Sequence, residues 1–169
     1  MLAIAILIYA AAMTLANLSI AHFGPWLSPL NAFILIGLDL ALRDWLHVRM
    51  RAWQMLALIG ASGALTYALN PSAQHIVIAS AAAFTLAALV DWRAFSRISG
   101  SWLRRSLGSN VVGAVVDTAV FSALAFVLLS PAPKPLEVVA QIAGLQLLAK
   151  LAGGSLWAVM LNKAGAARA

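Results

Sequence analysis

The sequence predicts an all-α integral membrane protein: one domain over residues 1–169, six transmembrane helices, and both termini in the cytoplasm. Three observations carry that expectation. The 169 residues are 63% hydrophobic and only 9% charged, with a mean hydropathy of +0.94, whereas soluble domains carry about 25% charged residues. Apolar runs of roughly 20 residues, the length that crosses a bilayer, recur along the chain. The basic residues fall between those runs and favour alternate gaps.

The first span is expected over about Leu2–Ala21. It lacks a basic leader and a clean small-residue cleavage site, so it reads as a helix that stays rather than a signal peptide. Phe23, Gly24, Pro25 and Trp26 then form an uncharged turn. The second span, about Pro29–Leu46, is short unless Arg43 and Asp44 lie inside the helix. A basic loop with Arg49 and Arg51 leads to the third span, about Trp53–Leu69, which stops at Asn70-Pro71. The fourth covers about Ser72–Val90, and Asp91 at its end reads as an interfacial charge pairing with the basic loop that follows. Leu107–Leu129 is the fifth span, closed by a proline-rich turn, and about Leu136–Leu161 is the sixth. Trp26, Trp45, Trp53, Trp92 and Trp102 fall near span ends, where interfacial anchors belong.

Charge sets the expected orientation. Nine Lys/Arg, counting Arg43, Lys163 and Arg168, flank the second, fourth and sixth spans, against Lys134 alone on the other side. The positive-inside rule then places both termini in the cytoplasm. The net charge of +6 is therefore a topology signal and not a nucleic-acid surface. Connections are short, so sequential helices are expected to pack as antiparallel neighbours. Absence of cysteine excludes disulfides, iron–sulfur ligation and thiol nucleophiles, and His22, His47 and His75 lack metal-ligand spacing. No cofactor or metal is expected.

Function has to be sought in the polar residues inside the spans, because an ionisable side chain at depth is expensive to keep there. Asp117 lies near the middle of span five, where Asn110, Gly113, Asp117 and Phe121 share one helical face. Lys150 lies near the middle of span six, with Gln146 one turn before and Gly153-Gly154 one turn after. The two spans run antiparallel, so Asp117 and Lys150 face each other or a shared ligand. Asp39 precedes Arg43 by four residues, a favourable order for a helical ion pair. Asn17 and Asn31 are placed either to bind a ligand or to bond neighbouring helices. Ala12 and Ala16 form a small-residue step on span one, read as helix packing and compatible with docking another subunit.

Two segments resemble a known family. Gly37-Leu-Asp39-Leu-Ala-Leu-Arg43-Asp44 on span two, and the stretch from Ser109-Asn110 through Gly113, Asp117 and Thr118 to Phe121 on span five, are similar to the vitamin uptake transporters, also called queuosine precursor transporters. The resemblance covers nearly the whole chain. It implies uptake of a 7-deazaguanine precursor of queuosine across a bacterial-type inner membrane, with Asp39, Arg43, Asp44, Asn110 and Asp117 as candidate site residues and Gln146 and Lys150 matching a feature of the last helix. Members often carry an acid one turn before the span-four aspartate; here Ala88 stands there, so either the substrate differs or the role has moved to Asp91.

The chemistry agrees with that implication. A deazaguanine presents an N–H and an amino group side by side, a donor pair that a carboxylate accepts bidentately. Asn110 or Gln146 suits its carbonyl edge, and Phe121 or Trp157 suits its ring. The chain has no Walker motif, metal cluster or oriented nucleophile, so it reads as a transporter and not an enzyme. Its expected partners are a small heterocycle and the lipid bilayer, with homo-oligomerisation left open. Two other classes remain compatible: the substrate-binding subunit of an ATPase-driven importer, and a non-transporting intramembrane scaffold.

Overall fold

Each apolar run becomes one helix, and the helices end where the chain supplies a turn. A computed structural model describes residues 2–165, with all six candidate membrane spans: α1 (Leu2–Phe23), α2 (Pro25–His47), α3 (Ala52–Leu69), α4 (Gln74–Arg97), α5 (Trp102–Leu128) and α6 (Leu136–Lys163). The described residues contain no strand. Gly24 closes α1 at φ 88°, a left-handed conformation that favours glycine, and its N–H donates to the Ile20 carbonyl at 2.8 Å. Gln54 caps α3 by accepting from the Arg51 N–H at 2.8 Å, and Ser101 caps α5 by accepting from the Arg104 N–H at 3.3 Å. Arg168 lies outside the described residues.

Helix ends differ from expectation where charged residues prolong a helix. Arg43 and Asp44 lie inside α2, so that span has full length. Helix α4 continues to Arg97, which places Asp91 within the helix at 1% exposure instead of at a loop. Helical hydrogen bonding does not stop where hydropathy falls, and a buried partner surface lets the charges stay inside. Arg43, only 2% exposed, leaves the count of loop charges. The remaining basic asymmetry still has the same sign.

Two helices are not regular. Helix α2 opens with a 3₁₀ turn at Pro25–Leu27 and widens to a π turn over Ala32–Ile36; α5 ends in a second π turn over Leu124–Leu128. Such turns misalign backbone groups and are common beside functional sites.

Around the bundle the contacts run α1–α3–α4–α5–α6–α2 and back to α1. Sequential helices are therefore neighbours except α2 and α3, which meet only sparsely; α2 lies along α6 instead. The reason is glycine. A Cβ on Gly37 would lie 2.7 Å from the Gly153 carbonyl carbon and 2.8 Å from the Gly154 nitrogen, and one on Gly153 would collide with the Phe33 carbonyl. Backbone meets backbone there, the way small residues bring membrane helices together. Ala12 and Ala16 are buried too, so their step is interior packing. Outward positions such as Leu7, Leu136 and Leu148 are exposed and apolar, as a lipid-facing surface should be.

Candidate functional site

Asp117 sits near the centre of α5 and Lys150 near the centre of α6, and the antiparallel packing joins them. Lys150 Nζ lies 2.7 Å from Asp117 Oδ2. The same ammonium donates to Thr118 Oγ1 at 2.9 Å and to Gln146 Oε1 at 3.3 Å. An ammonium has three donors, and here three oxygens receive them. Both charges are nearly solvent-free, at 4% and 2% exposure, so this is a buried pair with its hydrogen bonds complete. Accepting from Lys150 also orients the Gln146 amide, leaving Nε2 as a donor directed elsewhere.

This network forms one wall of a narrow cavity lined from five helices. Asn17 on α1, Asn31 on α2, Phe84 on α4 and Phe121 on α5 complete its polar and aromatic faces. The π turn of α2 supplies Ala32 and Ile36 to the wall. Gln146 Nε2, Asn17 Nδ2 and Ser80 Oγ are buried without a protein partner, an arrangement that costs free energy unless something else is bonded there. In this conformation the free interior suits a water-sized group rather than a bicyclic ring. A ring-sized ligand needs the walls to part.

Asp39 and Arg43 form the second buried ion pair, Arg43 Nη2 to Asp39 Oδ2 at 2.6 Å, one turn apart on α2. The pair lies next to the cavity without lining it: Asp39 feels the charge of Asp117, and the guanidinium sits 5.7 Å over the ring of Phe84. The Tyr9 hydroxyl stands beside the same pair. Asp44 belongs to a third group. Ser106 donates to its Oδ2 in a short bond, Ser109 lies 3.4 Å from its Oδ1, and Asn110 Nδ2 reaches Ser106 Oγ at 3.5 Å. Asp91 borders that group, with its Cβ 3.3 Å from where a Cβ on Gly113 would stand. The gap in the α5 face is filled by this aspartate.

Of the residues singled out in the sequence, the structure gathers Asp117, Lys150, Gln146, Phe121 and Asn17 around one cavity. Asp39 and Arg43 stand behind it, and Asp44 and Asn110 lie in the serine-bonded group. Asn31 does both things expected of it: it lines the cavity while bonding the Ala16 carbonyl at 3.2 Å and Ser19 Oγ at 2.7 Å. Trp157 does not line this cavity; its indole N–H donates to the Ile34 carbonyl at 3.2 Å, a group in the π turn. Asp91 pairs with no loop residue among those described. Tyr9, Ser80 and Phe84 were missed. For the last two a signal existed: Ser80, Phe84, Ala88 and Asp91 recur at helical spacing on one face.

Groups of acids and histidines able to hold a metal are absent among the described residues. What the arrangement offers is a narrow polar cavity with aromatic residues in its lining, beside the centres of α5 and α6, with acceptors and donors on different helices. No curated protein and no solved structure matches the chain. A family model does: it is described as "putative vitamin uptake transporter" and matches residues 1–161. With nearly its whole length covered and its six spans in place, the chain belongs to that family of membrane transporters.

Proposed function

We propose that the protein imports a 7-deazaguanine precursor of queuosine across a bacterial inner membrane, with both termini cytoplasmic, and binds it in the Asp117 cavity. The observation that carries this reading is the mid-membrane constellation itself. A carboxylate whose position is set by Lys150 shares one lining with the unpartnered amide donors of Asn17 and Gln146 and with Phe84 and Phe121. A guanine-like edge offers adjacent donors to the carboxylate and an acceptor to the amides, and its flat ring suits an aromatic surface. Transporter sites characteristically lie at this depth. The ATPase-linked alternative loses support from Ala12 and Ala16, which face the bundle interior.

Asp117→Asn tests the assignment. Lys150 would keep three oxygen acceptors, those of Asn, Thr118 and Gln146, but lose its counter-charge, so the variant is expected to fold with a lowered melting temperature. The substrate loses a charge-assisted acceptor worth about 1.5–3 kcal/mol, which is at least tenfold in affinity. Binding of a radiolabelled 7-deazaguanine precursor to purified wild type and variant, beside their melting temperatures, is the comparison to make. A folded variant with unchanged affinity would return Asp117 to a packing role. A wild type that binds no heterocycle yet holds a protein partner would favour the scaffold.

A further inference from the structure

Arg43 has a second side. Its Nη2 is committed to Asp39, but Nε and Nη1 are buried and bond to nothing in the protein. Beyond them lies another narrow cavity between α2, α3 and α4, lined by Arg43, His47, Met50, Arg51, Asp91 and Trp92 among others; in this conformation it has room for a water-sized group, and a ring needs its walls to part. Both oxygens of Asp91 are buried as well, with Ser109 and Asp44 beside them but no hydrogen bond of ordinary geometry. Arg43 and Asp91 are 2% and 1% exposed, border the same space, and do not close into an ion pair. Opposite charges this deeply buried normally pair directly or are bridged by a third group.

We propose that this cavity is a second binding site for the transported heterocycle, a release vestibule separated from the Asp117 cavity by the Asp39–Arg43 pair. The inference rests on the import reading above. Charge defines the ligand class. An anion placed here meets Asp91, with Asp44 near it; a cation meets the free edge of Arg43 and, on the exposed side of the lining, Arg51. A neutral, planar molecule with a donor pair on one edge and acceptors on another satisfies both, giving its donors to the carboxylate and accepting from Nε and Nη1. Met50 and Met55 supply the adaptable apolar walls such a ring needs. The Trp92 and His47 rings, with centroids 5.6 Å apart, supply aromatic surface.

Position supports passage between the two sites. The first cavity takes residues from the beginning of α2, Ser28 and Asn31; the second takes Arg43 and His47 from its end. Arg43 is the partition, with its guanidinium over Phe84, a wall residue of the first cavity, and its free edge in the second. A ligand crossing the protein therefore meets the same chemistry twice, a carboxylate with a cation beside it, and has to displace Arg43 between the two.

Transport by protein reconstituted in vesicles of known sidedness tests this, with a radiolabelled 7-deazaguanine precursor as probe. Asp91→Asn should raise KM at least tenfold for probe presented on the face bearing the α2–α3 loop, and leave KM on the opposite face within about twofold. Ala88→Phe, which fills the vestibule without touching Asp117, should cut transport about tenfold while equilibrium binding persists. Should Ala88→Phe fail to fold, Asp91→Asn decides alone. Equal KM changes on both faces, or none on either, would overturn the vestibule. If the wild type moves and binds no probe, the import reading falls and takes this site with it; if it transports while Asp91→Asn behaves as wild type, only the vestibule falls.

Discussion

The two buried ion pairs differ in how fully their partners are used. Lys150 joins two helices and places all three donors on protein oxygens, from Asp117, Thr118 and Gln146. Arg43 pairs within one helix through a single nitrogen, leaving Nε, Nη1 and Asp39 Oδ1 without a hydrogen bond of ordinary geometry, with the Tyr9 hydroxyl beside them. Complete bonding between helices is what a fixed frame needs. Incomplete bonding on one helix is what a moving part needs, because the remaining donors and acceptors are free to exchange partners. The same charge chemistry thus serves rigidity at mid-bundle and exchange one layer away.

The largest effect is expected where the closed network is broken. Lys150→Met removes the cation and strands Asp117 in a bundle interior, a change that costs about 3–5 kcal/mol. Asp117→Asn added to it should recover a good part of the loss, since the unpaired charge is gone. Thermal melting in detergent of the two single variants and the double variant measures the coupling. The matching cycle at Arg43 and Asp39 should show a coupling about half as large or less, because that pair holds no two helices together. Additive losses at Lys150 and Asp117 would erase the distinction between the pairs.

Why the first pair was legible in the sequence and the second cavity was not has a physical cause. Asp117 and Lys150 are opposite charges in the middle of adjacent antiparallel apolar spans, a situation with few other solutions. The spans themselves follow from hydropathy, and their structure agrees. Asp91 was read at a span end because hydropathy falls at Val90, although the helix runs on to Arg97. Arg43 was counted as a loop charge for the same reason. Phe84 and Tyr9 look like any other apolar or aromatic residue in a span; which side of such a helix faces inward is decided by packing partners. The exchange of α3 for α6 as the neighbour of α2 depended on Gly37 meeting Gly153 and Gly154, glycines whose sequence position alone does not name their partner.

A middling effect is expected at that crossing, which holds the wall of the first cavity to α6. Gly153→Ala drives a Cβ into the Phe33 carbonyl region of α2, and neither backbone yields without moving its helix. Overpacking of this kind costs about 1–3 kcal/mol. Gly60 and Gly144 serve as controls, because a Cβ at either meets nothing within 4 Å; alanine there should be neutral or stabilise by up to about 1 kcal/mol. The contrast should appear as a lowered melting temperature for Gly153→Ala alone. Equal behaviour of all three would mean that α2 and α6 do not approach this closely.

The smallest effect concerns the π turn that separates the two cavities' surroundings. Over Ala32–Ile36 the helix widens, and the Ile34 carbonyl takes the Trp157 indole N–H from α6 at 3.2 Å. Ala32 and Ile36 from the same turn line the Asp117 cavity, whereas the second cavity has no π turn in its wall. Trp157→Phe keeps an aromatic ring and deletes only the donor, so the stability cost should be about 0.5–1.5 kcal/mol. If the turn is the yielding wall through which a ring enters the first cavity, that small loss should be accompanied by faster association of the 7-deazaguanine probe, read by stopped-flow fluorescence of the remaining tryptophans. Association unchanged in a variant with the expected melting temperature would assign the indole bond to helix packing alone, and the opening of the first cavity to the displacement of Arg43.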